Sequence, residues 1–392
     1  MTASLILPAP AGQGGTITVS FDREPLRIER PLAPFTRVAI SAGHVVADPS
    51  GTPYPGQAAA IDWPKTIAFR RYLLDQGLGI AEAMDTAQRG MGLDWPTALE
   101  LIGRTIAETS DIDGALIFSG CGTDQLADGA SVTIDAVLRA YREQMDGIQA
   151  LGGRLILMAS RALVRAADKP ADYIAVYDRL LRDADQPVIL HWLGEMFDPA
   201  LDGYWGASSF DDALETCLEI IGNNAAKIDG IKISLLDKEK EIIMRRRLPA
   251  DIKMYTGDDF HYPELIAGDD QGFSHALLGI FDAIAPAASQ ALSALAAGQP
   301  DRYDALLAPT LPLARLIFSA PTRFYKTGVV FLAYLNGHQD HFIMLAGHQA
   351  MRPLGYFTDL FRLAAEARLL VDPDRAAHRM KAVLALHGVD AV

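Results

Sequence analysis

Cysteine is nearly absent, with Cys121 and Cys217 the only two in 392 residues. Two such residues build no disulfide framework, and that usage suits a reducing compartment. Positive charge is also in short supply. There are 35 Lys and Arg against 49 Asp and Glu, a formal net charge of −14. This argues against nucleic acid or anionic membrane as a general partner. No uncharged apolar run reaches membrane-spanning length and no basic-then-apolar leader opens the sequence, so a cytoplasmic location is expected. Internal repeats and low-complexity segments are missing as well. What remains is a globular composition, 50% hydrophobic and 21% charged, long enough for one elaborated domain or two.

Short apolar runs alternate with amphipathic segments after Pro34. The runs are Arg37–Ser41, Gly79–Met84, Gly114–Ser119, Arg154–Met158, Pro187–His191, Gly230–Ser234, Ile252–Tyr255 and His275–Gly279. Helix-start signals such as Asp94-Trp-Pro96 and Thr133-Ile-Asp135 lie between them. Strands that alternate with helices predict an α/β fold, and eight of them predict a (β/α)8 TIM barrel. A doubly wound sheet is the competing architecture. Residues 1–35 form an N-terminal extension in which Thr16–Ser20 and the segment from Leu26 to Glu29 read as a β-hairpin. The barrel is expected over 36–285 and a C-terminal helical tail over 286–392. The turn-rich stretch Ala346–Pro353 reads as a mobile loop.

Lys232 stands between Ile231 and Ile233 in Gly230-Ile-Lys-Ile-Ser234. That pattern puts a charge inside a buried strand. A buried ammonium is costly, so such a lysine is paired, neutral or chemically employed. A neutral lysine attacks carbonyl carbon, which is Schiff-base chemistry. The structural alternative is a strand-end lysine that snorkels to water or pairs with an acid.

Catalytic groups in a barrel sit at the C-terminal strand ends. There the sequence offers His44 and Asp48; Glu82, Asp85, Thr86 and Gln88; Ser119, Cys121, Thr123 and Asp124; Ser160 and Arg161. It continues with His191 and Glu195, Lys232 and Ser234, then Asp258, Asp259 and His261. Gly120-Cys-Gly122 resembles a phosphate-cradling turn, but its glycine spacing is short and nonspecific, and a plain tight turn is the simpler reading. Arg161 or Arg165 could take a substrate anion. His338 and His341, three apart, would share a helix face, with packing the simpler role. Asp258-Asp259 could bind metal, pair with Lys232 or cap the next helix.

These residues, in this order, resemble the dihydrodipicolinate synthase / N-acetylneuraminate lyase family of class I aldolases. Pro187-Val-Ile-Leu-His-Trp192 is similar to the family's fifth strand, Pro-Val-Ile-Leu-Tyr-Asn. Gly230-Ile-Lys-Ile is similar to the sixth, Gly-Ile-Lys-Glu, whose lysine forms the Schiff base. Thr256-Gly-Asp-Asp259 is similar to Ser-Gly-Asp-Asp of the seventh, and Leu93–Ile102 to the helix after the Gly-Thr-Thr-Gly-Glu loop. The resemblance runs from about Phe35 to about Gly337 and implies a homodimer or homotetramer. Two departures stand out. Asp85-Thr-Ala-Gln-Arg89 replaces the loop whose threonines bind a 2-keto acid carboxylate in the family. Asp85 would repel that carboxylate, and Arg89 would have to compensate. His191 replaces the family's relay tyrosine, and histidine shuttles protons near neutral pH.

The leading expectation is therefore a Schiff-base lyase or aldolase acting on a small sugar-derived carbonyl or keto acid, without cofactor. Lys232 is the nucleophile and His191 moves the proton. Asp85, Thr86, Gln88, Gly120, Thr123, Asp258 and Asp259 hold the substrate or orient the lysine. One alternative is a divalent-metal sugar isomerase or epimerase using Glu82, His191, Glu195, Asp258 and His261. Another is a catalytically inactive sugar-binding barrel.

Overall fold

The computed structural model describes residues 4–9, 14–51, 57–126 and 132–389. Ten strands are present among them. Strands β1 (Ser4–Pro8) and β2 (Thr16–Ser20) form an antiparallel pair in which Ser4 faces Ser20 and Pro8 faces Thr16. The hairpin partner of Thr16–Ser20 thus lies before it in the chain, and the expected pairing with Leu26–Glu29 does not form. Leu5 and Leu7 bury the same face of β1, a period-2 signal that decides the pairing.

The other eight strands are β3 (Ala39–Ala42), β4 (Gly79–Glu82), β5 (Ile117–Cys121), β6 (Arg154–Leu157), β7 (Val188–Leu193), β8 (Ile228–Ser234), β9 (Lys253–Thr256) and β10 (His275–Leu278). They run parallel and close into a barrel, each beside its chain neighbour, with β10 returning to β3. Each falls within a predicted run or within a few residues of it. Helices α1 (Trp63–Asp75), α2 (Trp95–Glu108), α3 (Ile134–Ala150), α4 (Arg161–Ala166) and α5 (Pro170–Asp183) connect the first strands. After β7 come α6 (Phe210–Asn223), α7 (Lys238–Arg245) and α8 (Tyr262–Ala267). Start signals read from the sequence hold: Asp94 caps α2 through the Thr97 amide at 2.8 Å, and Thr133 caps α3.

The described chain divides into two compact units. One contains residues 37–43 and 79–279, and so every barrel strand. Its interior is packed by Ile40, Ala81, Phe118, Ile156, Ile189, Tyr255 and Leu277, one or more from nearly every strand. The other unit contains residues 1–36, 44–78 and 280–392. It holds the hairpin, α1, and the tail helices α9 (Ile280–Ala283), α10 (Ala285–Ala296), α11 (Pro300–Leu307), α12 (Leu311–Ile317), α13 (Tyr325–Asn336), α14 (Leu354–Glu366) and α15 (Pro373–Leu386). Within it the chain after β2 is tied to the end of α14, where Leu26 N donates to Arg368 O at 2.9 Å. Part of the stretch predicted as a loop, Leu345–Ala350, forms an irregular 3-10 turn. No single described helix is long and apolar enough to cross a membrane.

Candidate active site

Strand alternation places Lys232. In β8 the residues Ile231 and Ile233 are buried on one face, while Gly230 and Lys232 share the other. Gly230 faces the barrel interior, since a Cβ there would lie 2.6 Å from the ring of the core residue Tyr255. Lys232 therefore also points inward. Gly257, just past β9, lies against its side chain: a Cβ on that glycine would lie 2.8 Å from Lys232 Cε and 2.3 Å from Ser234 Oγ. His191 is the ladder partner of Lys232 on β7 and follows the core residue Ile189 by two positions, so it shares the inner face.

The electrostatics follow from this burial. Lys232 is only 8% exposed. Burial pulls its ammonium below the ordinary lysine range, and the carboxylates of Asp259 and Asp85 push back. Burial, reinforced by the Lys232 charge, holds His191 well below the ordinary histidine range, so its ring is neutral. Its Nε2 lies 3.3 Å from Ser234 Oγ, and its Nδ1 is buried without a partner among the described residues. A neutral imidazole has one donor and one acceptor nitrogen.

The adjacent aspartates have separate tasks. Asp258 accepts from the amides of Phe260 at 2.8 Å and His261 at 3.0 Å, and bonds the His261 ring at 2.8 Å. It organises the turn into α8. Asp259 is the one whose charge acts on Lys232.

A cavity of about 160 Å³ opens beside His191. Cavities of roughly 150 Å³ admit a six-carbon ring. Its wall includes Asp85, Thr123, Ser160, Arg161, His191 and Asp198. Lys232 is the neighbour of this wall through His191 and does not itself line it. Thr123 Oγ1 and Ser160 Oγ share a 2.6 Å hydrogen bond. Ser160 is fixed from behind by Tyr204, whose hydroxyl accepts from the Ser160 amide at 3.2 Å and bonds Tyr177 at 2.8 Å. Tyr141 donates to Met158 O at 2.5 Å. Burial raises all three phenols, keeping them protonated. Thr123 and Ser160 are strand-end candidates in the sequence, but Tyr141, Tyr177 and Tyr204 are not, because they lie far from them in the chain.

Arg89 departs from expectation. Its guanidinium grips Asp124 with two bonds, Nε at 2.7 Å and Nη2 at 2.8 Å, and donates to Gln144 Oε1 at 2.8 Å. Nη1 turns to the carbonyls of Ala83 and Gly120. It has no donors left for a substrate carboxylate and does not compensate Asp85. Asp124, despite its burial, is held below the usual carboxylate range by this arginine. Of the two other predicted anion binders, Arg161 is paired with Asp198 and Arg165 is exposed on α4.

Of the predicted site residues the fold brings together Lys232, His191, Asp85 and Asp259, with Thr123 on the same cavity wall as Asp85 and His191. Thr86 and Gln88 are buried and do not line the cavity, and Gln88 Nε2 donates to Met91 O at 3.0 Å. Gly120 lies in β5. The Gly122 amide is taken by Gln144 Oε1 at 2.6 Å, so the Gly120–Gly122 turn is no phosphate cradle. The residues of the metal alternative are dispersed. Glu82 turns to Thr105 Oγ1 at 2.6 Å, Glu195 is exposed, and His261 belongs to Asp258. Among the described residues no three His, Cys, Asp or Glu side chains are grouped to hold a metal ion. His44 sits in the other unit, bonded to Asp282 at 2.8 Å. His338 and His341 both follow α13, and His338 packs on Phe69 and Tyr72.

The closed barrel of eight parallel strands followed by helices is a fold shared with solved structures of dihydrodipicolinate synthases. The prophage protein YagE of Escherichia coli K12, from the dihydrodipicolinic acid synthase family and solved with pyruvate, superposes with a TM-score of 0.65 at 14% identity, over 85% of this chain and 99% of its own. Dihydrodipicolinate synthase from Aquifex aeolicus gives 0.64 at 12% identity, over 86% and 99%. The chloride-inhibited enzyme from Acinetobacter baumannii, with pyruvate, gives 0.61 at 19% identity, over 85% and 99%. No curated protein matches the sequence. The family described as "Protein of unknown function (DUF993)" matches residues 5–389, and the chain belongs to it.

Proposed function

We propose that the protein is a Schiff-base-forming lyase that cleaves or dehydrates a small sugar-derived carbonyl or keto-acid substrate. The observation that supports it is Lys232 itself: a lysine inside the barrel, its charge disfavoured by burial, beside a neutral His191 and facing Asp259 and Asp85. The Lys232 amine adds to the substrate carbonyl carbon. Loss of water from the carbinolamine leaves a protonated imine. That iminium accepts the electron pair released when a neighbouring carbon–carbon bond breaks, or when a carbon-bound proton leaves ahead of hydroxide. After cleavage the enamine is protonated back to an iminium, whereas in dehydration the enamine's electron pair expels the hydroxide, which leaves as water; hydrolysis of the iminium then returns the free amine and the product. His191, with one ring nitrogen unmet, carries the proton between these steps. The proposed chemistry needs neither metal nor organic cofactor; a role in carbohydrate metabolism and a homodimer or homotetramer follow only from the resemblance, and a cytoplasmic location only from the composition.

Borohydride reduction in the presence of a panel of carbonyl compounds, followed by peptide mass spectrometry, tests the reading. The expected result is a reduced adduct on Lys232. Absence of any adduct across the panel, with folded protein, would overturn it and leave a barrel that binds without covalent chemistry.

A further inference from the structure

We infer that Asp85 restricts this site to uncharged, hydroxylated carbonyl compounds and closes it to 2-oxo acids; the inference rests on the Schiff-base reading of Lys232 and deepens it. Asp85 opens the 3-10 turn Asp85–Ala87 that follows β4. It is half-buried on the cavity wall that also carries His191, and its carboxylate acts on Lys232. The other carboxylates of that wall are committed, Asp124 to Arg89 and Asp198 to Arg161. The same pairs commit two of the wall's cations. Arg165, also on this wall, is exposed on α4, where solvent screens its charge.

Two carboxylates, Asp259 and Asp85, thus act on one lysine, Lys232. Imine formation keeps that balance, because the iminium bears one positive charge as the ammonium did. A substrate with a carboxylate on the carbonyl carbon would place a third anion beside this one cation in a poorly solvated space. A hydroxymethyl group on that carbon instead donates a hydrogen bond to the Asp85 carboxylate. The difference selects between substrate classes by charge, as repulsive elements do in specific sites.

Two probes that carry no reactive carbonyl test this separately from imine chemistry: erythritol, a neutral polyol, and lactate, a hydroxy acid. Their binding is measured by NMR titration on the wild-type chain, on Asp85→Asn, and on Asp85→Ser in case the first variant is unstable. The expected result is a preference for erythritol in the wild type, which falls about tenfold or more in the folded variant. A wild type that prefers lactate, favours neither or binds neither overturns the inference, as does a preference unmoved by the substitution. Trapping with dihydroxyacetone and pyruvate runs in parallel. If neither gives an adduct while the polyol preference and its loss persist, the Lys232 chemistry fails and the role of Asp85 stands.

Discussion

Strand β8 carries a charge near its start and another in its middle, and the two are treated differently. Asp229 lies where the β7–β8 register slips by one residue, since Val188 pairs with Ile228 and Ile189 with Gly230. This bulge aims its side chain at the N-terminal end of the barrel. There it accepts from Tyr255 Oη at 2.7 Å and Lys253 Nζ at 3.0 Å, with Arg154 Nη2 at 3.4 Å. Three donors, one from β6 and two from β9, converge on one carboxylate. Lys232, three residues on, is flanked by two carboxylates and by a histidine with an unmet nitrogen. A saturated charge ties strands together, whereas an unsaturated one is held in readiness for another molecule. The two ends of a barrel divide stability and chemistry in this way.

Four substitutions would break or sharpen this contrast. Lys232→Met has the largest expected effect: turnover and adduct formation fall by roughly 10⁴-fold or more. Its melting temperature should hold or rise, because a charge disfavoured by burial has been removed. Calorimetry that shows marked destabilisation would make Lys232 a structural residue like Asp229. His191→Asn comes next, with turnover down by about 10²–10³-fold. Borohydride should still capture the imine in this variant, and loss of both together would mean that His191 only positions the lysine.

Asp229→Ala should cost about 2–3 kcal/mol of stability, read from the urea midpoint, because it leaves three donors without their acceptor. Lys232 trapping per folded molecule should not change. The smallest effect is a pH shift. The amine attacks only when neutral, so trapping should rise with pH, with its midpoint below the ordinary lysine value. Asp259→Asn removes a carboxylate that favours the charged form, so it should move the midpoint lower still. A midpoint that moves up would remove Asp259 from contact with the lysine's charge.

Much of the fold was legible because each barrel strand is a short apolar run bounded by turn or cap residues. Lys232 and His191 were legible for the same reason, since alternation fixes which face a strand residue occupies. The hairpin was misread because Leu5 and Leu7 show their burial only once β1 is paired. Arg89 was misread for a different reason. A sequence shows that an arginine exists but not what it holds, and its partner Asp124 is 35 positions away. The Tyr204–Ser160 bond spans 44. Whether a charged or hydroxyl group is committed is a property of the closed barrel, and it decides which of many plausible residues remain available to a substrate.

Gly257 has no side chain, yet the space above its Cα is filled by the hydroxyl of Ser234, the backbone carbonyl of Ile233 and Cε of Lys232. In a saturation-mutagenesis screen for activity it should behave as though it were catalytic, with even alanine poorly tolerated. Such a screen would mark position 257 alongside Lys232, and the cause would be steric. Redesign of this barrel for other carbonyl compounds thus has freedom along the cavity wall but almost none behind the lysine.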